Sequence, residues 1–318
     1  QFVISLDAPG IVEFDLISMI PEDAVAGIFR KDLFEALQAI RPGFVRFPGG
    51  CIVEGISLAN RYYWKNTVGD GKNRRYIPNL WAFDDDWDKH DPMTKRPDAH
   101  YGQSFGLGFY EYFLLCELLG AKPLPVLNIG TACQFRSTEM VDSDSPEFEA
   151  YVQDALDLIE FANGPVDSKW GALRAQMGHP ESFHMDFLSV GNEQWEADGN
   201  QWYERYEEFE KVIHSVYPDI KIISSAGPSP DGDNFDSAWK RIRNAPSRRM
   251  HGSITGKRRK RIRTSVMRWM NIIMSVRSGY TTMWQCMTSI RGMWQYLPES
   301  TQRIPKTGRT PWRARWRK

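Results

Sequence analysis

The chain has 318 residues, a formal net charge of zero and 42% apolar residues, enough to bury one large domain core or two smaller ones. No apolar run approaches the roughly 20 residues a bilayer-spanning helix needs, and the opening residues alternate like a strand with no charged n-region, so neither a span nor a leader is expected. The four cysteines (Cys51, Cys116, Cys133, Cys286) have no C-x-x-C spacing and the six histidines no ligand spacing; no zinc ribbon, disulfide framework, metal or cofactor is expected, and the compartment stays open.

Neutrality hides a break. Residues 1–239 carry 19 Lys and Arg against 39 Asp and Glu, whereas residues 240–318 carry 21 against one, Glu299. The second segment also holds five of the 12 Trp and seven of the 12 Met, and Val266 to Met287 has no acidic residue. We therefore divide the chain into a domain over 1–239 and a disordered basic tail over 240–318.

In chain order, "RKDLFEALQAIRPG" places Leu33, Leu37 and Ile40 at helical spacing before Pro42, and "FVRFPGG" follows as a short strand entering a turn. Residues 51 to 105 form a long polar insertion containing "RYYWKN" and "NLWAFDDDWDKHD". Two readings stand for it: a solvated loop, or a rim in which Tyr62, Tyr63, Trp64, Trp81 and Trp87 offer flat faces to sugar rings. The acidic residues Asp84, Asp85, Asp86 and Asp88 lack EF-hand spacing and are not read as a metal site. "GFYEYFLLCELLG" predicts a helix stopped by Gly120, with "KPLPVLNIG" the strand after it. "SPEFEAYVQDALDLIEFANG" predicts a helix capped by Ser145, followed by the strand of "DFLSVGNE". In "QWYERYEEFEKVIHSVYPD", Trp202, Tyr206, Phe209, Ile213 and Val216 share a helical stripe, and "IKIISSAG" closes the series.

Helices alternating with short apolar strands predict a parallel sheet covered on its faces. Asn128, Asn192 with Glu193, and Ser224 with Ser225 all fall at C-terminal strand ends, where a barrel gathers its site, and no G-x-G-x-x-G follows the first strand. The fold class is α/β, a partial (β/α)8 TIM barrel with an aberrant basic C-terminal tail. A carboxyl at the mouth of such a barrel is partly desolvated, which suits Glu193 to giving up a proton to a leaving oxygen. Asn192 beside it suits a sugar hydroxyl. Taken alone, the Asn-Glu pair is as readily structural, and Cys51 as readily a small buried hydrophobe.

"RPGFVRFPGGCIVEG", "LGFYEYFLLCELLGAKPLPVLNIG", "VGNEQW", "ERYEEF" and "YPDIKIISSAGPSPDG" together resemble the catalytic barrel of the α-L-arabinofuranosidases of glycoside hydrolase family 51, over about Asp15 to Trp239. The resemblance implies a retaining hydrolase that removes arabinofuranosyl residues from an arabinose-containing polysaccharide or oligosaccharide. It implies Glu193 as general acid/base, Asn192 at the arabinose 2-hydroxyl and Cys51 near the sugar subsite. It also implies a first strand upstream of Gln1, so that the barrel in hand is partial and, with an open sheet edge, prone to aggregate. The family's nucleophile lies in a G-E-Y motif after the seventh strand, and its sixth strand ends in D-E-H-Y-Y; neither motif is present.

Trp and Met have single codons, so the tail can be back-translated and read one base over. Trp269-Met270-Asn271 then gives Asp-Glu followed by His or Tyr, and Met293 to Gln302 can encode a stretch with G-E-Y. The reading is a frameshift between Trp239 and Trp269 that leaves no nucleophile in frame; Glu299 sits there only by codon overlap. Two other readings stand: a non-catalytic arabinoside-binding remnant, and a polyanion or nucleic-acid binder using the basic run Lys257 to Arg261. Nucleic acid and membrane are not expected partners under the first reading, and the oligomeric state is open.

Overall fold

The computed structural model describes residues 5, 7–13, 19–82, 102–193, 202–224, 232, 233, 236–238 and 240. All of these belong to one of the two compact units into which the chain divides. The tail from residue 241 onward, with its basic run and shifted motifs, lies outside the described residues, as do Trp87, the Asp84 to Asp88 cluster and Ser225.

Among the described residues the chain runs α1 (Lys31–Ile40), β1 (Phe44–Phe47), β2 (Ile77–Pro78), β3 (Gly102–Gln103), α2 (Phe109–Leu119), β4 (Lys122–Leu127), α3 (Pro146–Asn163), α4 (Lys169–Gln176), β5 (Phe187–Val190), α5 (Trp202–Val216) and β6 (Lys221–Ser224). β1, β4, β5 and β6 form one sheet in that order. Every pairing in it is parallel, with Phe44 opposite Lys122, Val126 opposite Ser189 and Phe187 opposite Lys221. Consecutive parallel strands joined through helices that pack on the sheet make this part of an α/β barrel. β2 and β3 pair separately, antiparallel, outside it.

The helix ends follow from sequence chemistry. Ser145 accepts a hydrogen bond from the Phe148 N–H at 3.3 Å, with Pro146 at the first helical position. Gly120 ends α2 with φ +66°, left-handed backbone that glycine adopts without a Cβ penalty. At the start of α2 the Glu111 carboxylate accepts from the Gly108 N–H at 2.7 Å and pairs with Arg74 at 2.9 Å, tying the insertion to the helix. Replacing Ser145 by alanine should cost about 1 kcal/mol in urea unfolding, since it removes the side-chain cap and leaves the Phe148 N–H only the Ser145 carbonyl.

The core lies between the sheet and α2, α3 and α5, where Phe109, Phe113, Leu158, Phe161, Phe209 and Ile213 are all but fully buried. Three expectations change here. In α1, Phe34 faces inward while the stripe of Leu33, Leu37 and Ile40 is exposed; β1, which follows it, has a pairing partner only in β4 among the described residues. In α5, Tyr206, Phe209 and Ile213 are buried as the stripe requires, but Val216 is exposed in the last turn. The short helix α4 follows directly on α3, and Arg174 is its anchor: the buried guanidinium donates to the main-chain oxygens of Phe161, Gly164, His179 and Pro180.

The described part of the insertion after β1, residues 51–82 and 102–105, is not a solvated loop. Trp64 is 1% exposed and packs on Trp170 and Phe161 at centroid distances of 4.9 and 5.7 Å, while Tyr62 packs edge-on against Phe105. Lys65 pairs with Asp154 at 2.7 Å and with Asp157, both on α3. Tyr62 and Trp64 therefore close the core and do not form a sugar-stacking rim. Tyr63 is half-buried, with its hydroxyl donating to Asp154 at 3.2 Å. Trp81 remains exposed, stacked under the Arg136 guanidinium.

Candidate active site

The strands β1, β4 and β5 end side by side in a parallel sheet, so the residues just after them share one rim. After β1 comes a cis Phe47-Pro48 bond, then Gly49, Gly50 and Cys51 in a turn. Gly55 follows with φ +73°; a Cβ there would lie 2.5 Å from the Arg61 backbone nitrogen, so only glycine fits. After β4, Asn128 is buried and works as a splint. Its amide donates to the carbonyls of Val53 and Thr131, each at 3.0 Å, and its oxygen accepts from the Gly130 and Thr131 N–H groups at 2.6 and 3.1 Å. The Cys133 N–H donates to the Gly55 carbonyl at 2.9 Å, completing the bond between the two rim loops.

After β5 the chain presents Asn192 and then Glu193. Asn192 is 1% exposed: its Oδ1 accepts from the Arg46 guanidinium at 2.7 Å and its Nδ2 donates to Glu54 Oε2 at 3.2 Å. Arg46, on β1, also donates to the Gly49 carbonyl at 2.7 Å, so one guanidinium fixes both the β1 turn and the Asn192 amide. Glu193 is half-buried and its backbone is left-handed, with φ +47°, a conformation that costs a non-glycine residue about 1 kcal/mol or more and is concentrated at functional sites. Its Oε2 accepts from the Cys51 thiol at 3.1 Å, and its main-chain oxygen accepts from Gln134 Nε2 at 3.1 Å. The strained turn is thus held from both sides, and it aims the carboxyl at Cys51.

The three residues singled out by sequence, Glu193, Asn192 and Cys51, are brought together. Ser224 is buried at the end of β6, on the same edge of the sheet. Sequence reasoning missed Glu54, Cys133, Arg46 and Gln134. Glu54 is 1% exposed, and burial, with the Cys133 and Glu193 charges adding to it, holds its carboxyl well above the usual carboxylate range against the pull of the Asn192 amide. The Cys51 thiol is pushed up by its hydrogen bond with Cys133, by burial and by the neighbouring Glu54, Cys133 and Glu193 charges; the same hydrogen bond lowers Cys133. One S–H on Cys51 serves both the Glu193 oxygen and the Cys133 sulfur, so Cys51 stays a thiol and Cys133 is the more readily ionised of the pair.

The rim thus carries a polar cluster at the C-terminal end of a parallel sheet, with one half-buried carboxyl at its mouth. The model of a family described as the alpha-L-arabinofuranosidase 1 domain matches residues 36–251. The chain belongs to the α-L-arabinofuranosidase family. It is 42% identical over 246 residues to the extracellular exo-alpha-L-arabinofuranosidase of Streptomyces chartreusis, covering 73% of this chain and 27% of that protein. It is 38% identical over 227 residues to alpha-L-arabinofuranosidase 2 of Arabidopsis thaliana, covering 69% of this chain and 29% of the relative. A solved, arabinose-bound family 51 α-L-arabinofuranosidase superposes with a TM-score of 0.52 at 31% identity, over 64% of this chain and 29% of the other. The chain therefore spans less than a third of the length of each of these three relatives. Within the matched span lie all four sheet strands, Arg46, Cys51, Glu54, Asn128, Cys133, Asn192 and Glu193.

Proposed function

We propose that this chain carries the acid/base half of a retaining arabinofuranoside hydrolase, with the nucleophile half encoded out of frame beyond Trp239. The observation that carries this reading is the strained Glu193, held half-buried at the rim of a parallel sheet with Asn192 locked beside it and a thiol proton at its carboxyl oxygen. Glu193 protonates the leaving oxygen of a terminal α-L-arabinofuranosyl group and then takes the proton of the incoming water. Asn192 supplies amide contacts to the sugar 2-hydroxyl, and Cys51 lines the subsite. Retention needs a second carboxylate about 5 to 5.5 Å from the first. The sequence holds neither the D-E-H-Y-Y nor the G-E-Y motif of the family's nucleophile half, so the substrate is an arabinose-bearing polysaccharide or oligosaccharide only for the protein in its restored frame.

The reading is tested by expressing two proteins from the same locus: the chain as it stands, and a longer chain with the frame restored between Trp239 and Trp269. Hydrolysis of 4-nitrophenyl α-L-arabinofuranoside is expected from the second and not from the first. Turnover by the chain as it stands would overturn the missing-nucleophile reading. An uninterrupted reading frame whose shifted codons do not encode D-E-H and G-E-Y would overturn the frameshift.

A further inference from the structure

The rim loops also gather donors of a kind that hydrolysis does not require. Cys51 Sγ, Cys133 Sγ and a Glu54 carboxylate oxygen all lie within 4.8 Å of one another, and all three residues are buried. They come from two separate loops, the turn after β1 and the loop after β4, and are brought together by the Cys133 to Gly55 hydrogen bond and the Asn128 splint. Glu193 Oε2 accepts from Cys51 Sγ at 3.1 Å, beside the group of three.

We propose that Cys51, Cys133 and Glu54 form a binding site for a borderline-soft divalent cation, with Zn2+ as its occupant. Two thiolates and one carboxylate oxygen, formed as the thiols and Glu54 release their protons to solvent on binding, are three of the four ligands of a tetrahedral zinc ion, with water as the fourth; two sulfurs disfavour calcium and magnesium, which take oxygen ligands. With Zn–S near ~2.3 Å and Zn–O near ~2.1 Å, tetrahedral geometry places the donors roughly 3.5 to 3.8 Å apart, about an ångström inside the present limit. The outer shell is already built: Asn192 Nδ2 donates to Glu54 Oε2 at 3.2 Å, and Arg46 fixes Asn192 in turn. Bound zinc replaces the Cys51 thiol proton that Glu193 Oε2 accepts, and lies on the rim where a sugar would enter. That consequence rests on the proposed role of Glu193; the metal site itself rests only on its donors.

The test uses the full chain carrying Cys286→Ser, stripped with a chelator and titrated with Zn2+ against a chromophoric competitor, then with Co2+ as an optical probe. One equivalent is expected to bind, with a thiolate-to-cobalt charge-transfer band and the visible bands of tetrahedral cobalt. Cys51→Ser and Cys133→Ser should each diminish that band, and Asn192→Ala, which keeps all three donors, should weaken zinc by about 10- to 100-fold. Cys116→Ser, altering a buried thiol on α2 outside the cluster, should leave the band unchanged. Circular dichroism identifies any variant whose helices are lost. A folded chain that gives no charge-transfer band, or a band that persists at full intensity in Cys133→Ser, overturns the site. Because binding is read without substrate, zinc uptake by an inactive chain upholds the site, and hydrolysis by a restored chain that takes up no zinc overturns the site alone.

Discussion

Replacing Glu193 by alanine in the frame-restored protein is expected to lower kcat/KM on arabinosides with poor leaving groups by roughly 10²- to 10⁴-fold, the range that general acid catalysis contributes. The loss should shrink on nitrophenyl arabinosides, whose leaving oxygen needs little help from a proton. That dependence separates a proton donor from a residue that merely shapes the rim, because a structural defect slows all substrates alike. The turn itself is expected to survive, since Gln134 holds Glu193 by its main-chain oxygen and Arg46 holds Asn192. A uniform loss across leaving groups would remove Glu193 from the acid role.

The second large effect is on stability. Trp64 is 1% exposed, packs on Phe109, Phe161 and Trp170, and donates its indole N–H to the Asp154 carbonyl at 3.1 Å. Trp64→Ala removes the largest buried side chain of the insertion and leaves that carbonyl without its indole partner. A cost of about 3 to 5 kcal/mol is expected, from the lost transfer energy and the cavity left behind. Urea unfolding of the chain measures it. A cost under about 1 kcal/mol would mean that the insertion does not share the core, and would return Trp64 to the surface.

The strand-helix alternation was legible because each helix carries its own stop or cap: Gly120 for α2, Ser145 for α3, and the Tyr206, Phe209, Ile213 stripe for α5. Periodicity indicates which residues can share a face but not whether another element covers that face: the spacing of Leu33, Leu37 and Ile40 marks the helix, yet all three are exposed. Aromatic residues in a polar loop fit a sugar rim and a core plug equally well on composition. Trp64 became a plug because Lys65 beside it finds Asp154 and Asp157 on α3.

At the site, Glu193, Asn192 and Cys51 were legible through the resemblance and through their place after strands. Glu54 and Cys133 were not. A lone glutamate and a lone cysteine in loops 79 positions apart have no local pattern; the Cys133 to Gly55 hydrogen bond and the Asn128 splint make them neighbours. The same holds for Arg46, whose role depends on the register that places β1 beside β4.

The most direct test of Glu193 as the acid/base of a retaining site is chemical rescue of the frame-restored Glu193→Ala protein by azide. An activated arabinofuranoside forms the glycosyl-enzyme without the acid, and azide, which needs no general base, takes the place of water. The expected result is recovered turnover and an arabinosyl azide with retained anomeric configuration. Either the absence of any acceleration by azide in a folded, substrate-binding protein, or an azide product of inverted configuration, would contradict the account.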